Sequence, residues 1–557
     1  MNDSIGIVKG PGELPNEYLF ITKDTQHTKV GEYVYYEAKI NDTFRSIVGV
    51  VKCRSSAINI SSIIFSDPSI DPFEILSMLG IERDLAELYE VTVENIGYFE
   101  SAINDFINPR IPPTVGDKVY LAPSEMLKEM ISPKDIGETG GAHIGSLLTR
   151  EEDEVPIILS VKELVSTHLA ILASTGAGKS YTAGVLIEEL MRPYNRAAVL
   201  VVDPHGEYDT LTGIQGNPVF EDKDYSPQVK IYPSEKIKVR FSSLTEADIK
   251  YLLPEGSTEK MHYFLSVALH SLTERLHHER RRDYSYEDLY REIEELSKTS
   301  NNQQHQSTFE GLMWRIEARF GKKDGVFSSN DHIELKEIFE PGKCTIFQLS
   351  DIEKNEQQVI VATILRRVFK ARKKTVRKES KEGQEDYLPY PVFILLEEGH
   401  RFAPAKANAV STDILKEILA EGRKFGVGIG LISQRPGKID QDVLSQCMTQ
   451  IIMRIINPID QKTICESIEG VGQGILHELP ALTKGQAIIS GIGINIPVLC
   501  RIRKRLTEHG GETLDAPKEW VAYFSESAKQ KTEQANAPYV RPATEENNEE
   551  FEGFKIF

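Results

Sequence analysis

The run Ala173-Ser174-Thr175-Gly176-Ala177-Gly178-Lys179-Ser180 constrains this chain more than any other stretch. The strand-like run His168-Leu-Ala-Ile-Leu172 precedes it, and 181–191 has the texture of a helix. A strand, a loop of small residues and a helix start make an anion cradle. Successive backbone N–H groups turn inward there, and the helix N-terminus adds positive potential. Lys179 has the reach for β- and γ-phosphate oxygens, and the Ser180 hydroxyl suits Mg²⁺. Ser174 to Ser180, with Tyr181, is therefore the candidate ATP-binding run. The usual pattern has glycine where this chain has Ala173, a departure that fits if φ there is negative. The bland alternative is a chance Gly-Lys-Ser at a helix start.

Such a site needs a carboxylate at the end of a neighbouring strand. Phe393-Ile-Leu-Leu396-Glu397-Glu398 offers two, emerging where open α/β sheets bind ligands. Glu397 would organise Mg²⁺, and Glu398 would polarise the attacking water. Alone, the pair reads as a solvated strand end. Asp203-Pro204-His205-Gly206-Glu207-Tyr208 closes another apolar run and places Asp203 and Glu207 near the same edge, unless it is only a tight turn. Gly430-Leu-Ile-Ser433-Gln434-Arg435 closes a third. Gln434 can hydrogen-bond both a γ-phosphate and the lytic water; the plain reading is a strand cap.

Around these motifs, the period of the text divides the chain. Short β-branched and aromatic runs at 5–8, 18–21, 33–36 and 47–51 predict a small barrel or sandwich over 1–136, with a partly helical insertion at 71–100. Residues 137–155, opening on Gly137-Glu-Thr-Gly-Gly141, read as a linker. Strands alternating with helices over 156–243 and 341–510 predict a parallel sheet covered on both faces. Between them, 244–340 carries three helical faces. These are Leu265/Leu269/Leu272/Leu276, Leu289/Ile293/Leu296 and Phe309/Leu312/Ile316/Phe320. Residues 511–557 form a polar tail.

Together, the motifs and their order are similar to those of the HerA family of hexameric DNA translocases, relatives of FtsK and of conjugative coupling ATPases. The resemblance covers about residues 1–510. It implies an α/β, RecA-like P-loop motor with an inserted helical subdomain behind an N-terminal β-barrel. It implies ATP and Mg²⁺ as ligands, with Lys179 and Ser180 as the Walker A pair and Glu397 and Glu398 as the Walker B acid and catalytic glutamate. Asp203 matches the acid after the second motor strand, and Gln434 the sensor glutamine. Arg423, in Gly422-Arg-Lys-Phe-Gly426, matches an arginine finger delivered to the neighbouring subunit. Read without the family, it is a cation at a helix end. A second trans-acting arginine of relatives falls on Thr167 here, so either Arg423 works alone or another arginine, such as Arg150, approaches in space.

The resemblance further implies a homo-hexamer threading double-stranded DNA and a partner: a NurA-type nuclease, or an effector in antiphage defence. The chain has 65 basic and 84 acidic residues, a net charge of −19, which excludes gripping nucleic acid by bulk positive charge. DNA would have to meet a local basic surface. The densest basic text is Arg366-Arg367 with Lys370-Ala-Arg-Lys-Lys374, and Arg275 to Arg282 is a second cluster. A solvated helix face explains either equally well. Met1–Gly10 lacks a signal-peptide pattern, no apolar run approaches the ~20 residues of a span, and five scattered cysteines suggest reduced thiols. The expected setting is cytoplasmic, with no membrane partner. Two other readings stand beside the translocase. One is a conjugation or secretion ATPase; the other is a nucleotide-ordered scaffold ring that activates an effector.

Overall fold

The computed structural model describes residues 3–57, 71, 74, 77, 78, 80, 88–100, 103, 105–281, 283–299, 304–322, 325–329, 331–467, 478–509 and 516–523. The chain divides into two compact units, 1–510 and 511–557; in the second, 516–523 is a helix.

The N-terminal part of the first unit is a barrel. Its strands are β1 (Gly6–Pro11), β2 (Glu17–Thr22), β3 (Tyr33–Ile40), β4 (Thr43–Ser56), β5 (Tyr89–Glu100), β6 (Asp105–Ile107) and β7 (Lys118–Leu121). They join in the order β2-β1-β7-β3-β4-β5-β6, and a further β2–β5 pairing closes the ring. Strand side chains alternate between faces, so every second residue of β2 points inward. Tyr18, Phe20, Tyr36, Ile47, Val91 and Val93 fill the interior. The expected insertion at 71–100 ends in a barrel strand, β5, and most of the rest of it lies outside the described residues.

The motor sheet contains β8 (Gly141–Leu147), β9 (Pro156–Ser160), β10 (Leu169–Leu172), β11 (Ala198–Asp203) and β12 (Gln228–Tyr232). It continues with β15 (Lys343–Gln348), β16 (Val392–Leu396), β17 (Val427–Ser433), β18 (Thr449–Met453), β19 (Gln486–Gly491) and β20 (Val498–Ile502). The small pair β13 (Val239–Arg240) and β14 (Phe327–Ser328) stands apart. Strand order is β12-β15-β11-β16-β17-β10-β18-β19-β20-β8-β9. From β12 to β18 the neighbours are parallel, and these strands are apolar runs because helices bury both faces.

Two expectations need correction. The sheet is mixed, since β18, β19, β20, β8 and β9 pair antiparallel. Residues 137–155 are no linker, because β8 hydrogen-bonds between β20 and β9 inside the motor sheet. Gly140 and Gly141 suggested a linker, but Gly141 opens a strand whose Ala142, Ile144 and Leu147 are fully buried. Barrel and motor are riveted through this region. Arg150 forks onto Glu32 (3.0 Å) and donates to the Ala122 carbonyl, and Tyr33 donates to the Pro497 carbonyl at 3.0 Å.

The motor helices that matter below are α1 (Lys179–Leu190), α5 (Lys354–Val376) and α6 (Val410–Phe425). The inserted subdomain is built on α2 (Glu259–Glu279), α3 (Tyr286–Ser297) and α4 (Gln306–Phe320). Its expected inward faces are observed: Leu265, Leu272, Leu276, Leu289, Ile293 and the whole Phe309–Phe320 stripe are buried. Capping follows the sequence, with Thr258 and Ser285 accepting the third N–H of α2 and α3.

Candidate active site

The loop after β10 passes between two strand ends. Ala173 N–H donates to the Ser433 carbonyl (3.2 Å) and Ser174 N–H to the Arg454 carbonyl (2.8 Å). Gly176 (φ 79°) and Gly178 (φ 107°) take the left-handed conformations that bend the loop back over the start of α1. Ala173 has a negative φ, so the substitution of the usual glycine costs nothing. Lys179 is the first residue of α1, and its buried ammonium meets Glu397 Oε1, with Glu207 Oε2 at 3.6 Å and Glu398 Oε1 at 3.9 Å. Burial pulls the Lys179 pKa down, but these carboxylates outweigh it and hold it above the ordinary lysine value.

Glu397 and Glu398 follow β16 directly and occupy different environments. Glu397 is fully buried; burial pushes its pKa up to about 7, against the opposing pull of Lys179 and of the Tyr208 hydroxyl, which donates to Oε2 at 2.8 Å. Glu398 has φ 54° and ψ 46°, a left-handed backbone that costs a non-glycine residue ~1–3 kcal/mol and clusters at functional sites. Its Oε1 accepts from Gln434 Nε2. The other end of that amide, Gln434 Oε1, accepts from Thr175 Oγ1 at 2.6 Å. One side chain thus links the phosphate loop to the acid, and both hydrogen bonds fix which way the amide faces.

Asp203, matched by the resemblance to the acid after the second motor strand, is spent on its own turn. It is fully buried, and its oxygens accept from the backbone N–H groups of His205 (3.1 Å), Gly206 (2.8 Å) and Tyr208 (3.2 Å), so it holds the turn. The carboxylate that the turn delivers is Glu207, which accepts from Ser180 Oγ and lies against Lys179. Sequence reasoning placed Glu207 near the edge without a role, and it missed Tyr208, His205 and His400. The signal was present, since all lie within the two motifs. Their orientation depends on the Asp203 turn and on the Glu398 backbone, which no spacing rule discloses.

Ser180, Glu397 and Glu207 supply hard oxygen donors at a helix N-terminus beside a lysine, the donor chemistry that Mg²⁺ and a polyphosphate require. Nothing lies within 4 Å of the position a Cβ would take on Gly176, which leaves the cradle open.

A family model described as "Helicase HerA, central domain" matches residues 142–368, beginning inside β8. The DNA double-strand break repair helicase HerA of Pyrococcus furiosus is 30% identical over 561 residues, covering 93% of this chain and 97% of that one. The chain belongs to the HerA family. A probable helicase of Methanocaldococcus jannaschii is 28% identical over 552 residues, 96% of this chain and 97% of its own. Among solved structures, VirB4 of Thermoanaerobacter pseudethanolicus aligns with a TM-score of 0.48 and 13% identity over 67% of this chain and 98% of that one. As a HerA-family member, the protein is an NTPase of the helicase class.

In this HerA-family motor, Arg423 sits apart from the nucleotide cradle. It is exposed in the last turn of α6, just before β17 begins. The cradle lies at the other end of β17, and seven residues of strand put the two edges about 20 Å apart. Thr167, the position to which the resemblance assigned a second arginine, is buried and donates to the Glu163 carbonyl at 2.7 Å. Arg150 is committed to Glu32 and Ala122, which removes it as a replacement.

The basic run on α5 is largely paired. Arg366 binds Asp248, Lys374 binds Asp386, and Lys373 reaches Glu417 at 2.7 Å. Arg372 is buried and donates to the carbonyls of Phe425 (2.7 Å) and Leu388 (2.6 Å). A cavity of about 800 Å³ beside this helix is walled by Arg366, Arg367, Lys370 and Lys374, but equally by Asp283, Glu379, Glu385 and Asp386, so its charges cancel. In the second cluster, Arg275 pairs with Glu292 at 2.8 Å, and Arg282 lies outside the described residues. Lys370 is exposed and belongs to no ion pair among the described residues. No helix among them is long and apolar enough to cross a membrane.

Proposed function

We propose that this protein hydrolyses ATP at the Lys179–Glu398 site and uses the energy to move double-stranded DNA through a ring of six copies. The observation that carries the reading is the Thr175–Gln434–Glu398 chain, which connects a phosphate cradle to a buried acid. Lys179 neutralises β- and γ-phosphate oxygens, while Ser180 and Glu397 are the residues to hold Mg²⁺. When bound, Mg²⁺ spreads the charge that develops on the phosphate oxygens. Glu398 accepts a proton from the attacking water as the bond to the γ-phosphorus forms and the bond to the bridging oxygen breaks, releasing ADP and phosphate.

Arg423 serves the adjoining copy, since it stands at the far end of β17 from its own cradle. A finger contributes roughly 10³–10⁵ in rate only when a neighbour delivers it. Head-to-tail contacts of that kind close into rings. Relatives named for DNA double-strand break repair support duplex DNA as the track and end processing as the setting. A nuclease of NurA type, or a defence effector, docks on the barrel in this reading, in the cytoplasm. ATP turnover measured with and without linear duplex DNA tests it. Strong stimulation is expected, and turnover indifferent to DNA would leave a ring that only switches a partner.

A further inference from the structure

We infer that His400 is a positioning residue that holds the outer oxygen of the Glu398 carboxylate, so that one oxygen is anchored from the end of β17 and the other from the turn after β16. The inference rests on the proposed role of Glu398. Glu398 is buried and left-handed at its Cα, so neither water nor strand geometry fixes its carboxylate. Gln434 secures Oε1. Oε2 has no aligned hydrogen bond among the described residues, and His400 Nδ1 stands 3.2 Å from it. A buried carboxylate oxygen without a donor is costly. Catalytic hydrogen bonds are often poorly aligned before substrate arrives and straighten in the complex.

The proposed contact has one possible direction. A carboxylate only accepts, so Nδ1 must carry the proton. The same nitrogen lies 3.2 Å from Ser433 Oγ, the residue before Gln434, and Ser433 Oγ is tied to the Arg435 N–H at 3.1 Å. A second imidazole, His205, has Nε2 at 3.8 Å from Glu398 Oε1, beyond hydrogen-bond range. That nitrogen accepts from the Arg401 guanidinium at 3.1 Å, which leaves it nothing to donate. Of the two histidines, only His400 can hold the acid.

The full-length protein, assembled with duplex DNA, tests this through three variants. His400→Ala is expected to lower kcat for ATP roughly 10- to 100-fold with KM within about twofold. His400→Asn, whose side-chain N–H falls where Nδ1 was, is expected to recover most of kcat. If His400→Ala fails to fold, His400→Asp replaces it, being the size of Asn with an acceptor in place of the donor. Full kcat in His400→Ala or His400→Asp, or an Asn variant as slow as either, overturns the inference. Glu398→Gln separates the two layers. Normal turnover in that variant defeats the role of Glu398 itself; stalled turnover beside an unimpaired His400→Ala defeats only the positioning.

Discussion

The Tyr208 hydroxyl donates to Glu397 Oε2 across 2.8 Å while Lys179 occupies Oε1, so the buried acid has both oxygens engaged from opposite sides. Burial pushes the Glu397 pKa up to about 7, and the Tyr208 hydrogen bond opposes that by favouring the ionised form. Tyr208→Phe removes the opposing bond and nothing else of that size. The carboxyl then ionises only at higher pH, so the acid limb of kcat should move upward by about one pH unit. A pH–rate profile of the variant checks the sign. An acid limb that stays in place or moves to lower pH would sever Glu397 from the chemistry.

Glu398→Gln keeps size and burial but loses the basic oxygen. ATP binding should be unchanged, because the contacts of the cradle run through Lys179, Ser180 and Thr175. Turnover should fall roughly 10²–10⁴-fold, the usual contribution of a positioned base. Equilibrium binding of a nucleotide analogue beside single-turnover hydrolysis separates the two effects.

The cradle was legible because its chemistry lies in consecutive residues: small residues for the loop, a lysine at the helix start, acids behind an apolar strand. Parallel strands such as β10, β11 and β16 were equally plain, being continuous apolar runs. The antiparallel edge was not. β8 reads Gly-Ala-His-Ile-Gly-Ser-Leu, and its glycines look like linker text, although a Cβ on Gly145 would lie 2.0 Å from the Arg501 carbonyl. There glycine permits close strand approach rather than flexibility. The part taken by Glu207 was hidden for a related reason. Which acid of a turn faces the site depends on where the backbone N–H groups point, and Asp203 is spent on three of them.

The α5 run separates core cations from free ones. Arg372→Ala strands the carbonyls of Phe425 and Leu388 in the interior and should cost about 2–4 kcal/mol, read as a lower urea midpoint. Lys370→Ala should leave the midpoint unchanged. If Lys370 touches a DNA phosphate, its loss also lowers the slope of log affinity against log salt by about one. An unaltered slope would assign Lys370 to the solvated face.

Arg423 and Lys179 stand at opposite edges of the same parallel strands, which makes a mixing experiment decisive. Arg423→Ala subunits keep a complete cradle but deliver no finger; Lys179→Ala subunits deliver a finger but cannot hold the phosphates. Each alone should be nearly inactive. Mixed and reassembled, an Arg423→Ala cradle facing a Lys179→Ala finger is intact. At equal proportions about a quarter of random head-to-tail interfaces are of that kind. Turnover should therefore rise well above either parent and peak near equal mixing. A finger acting within its own subunit predicts activity that stays at the parental level at every ratio, which is the outcome that would abolish the shared site.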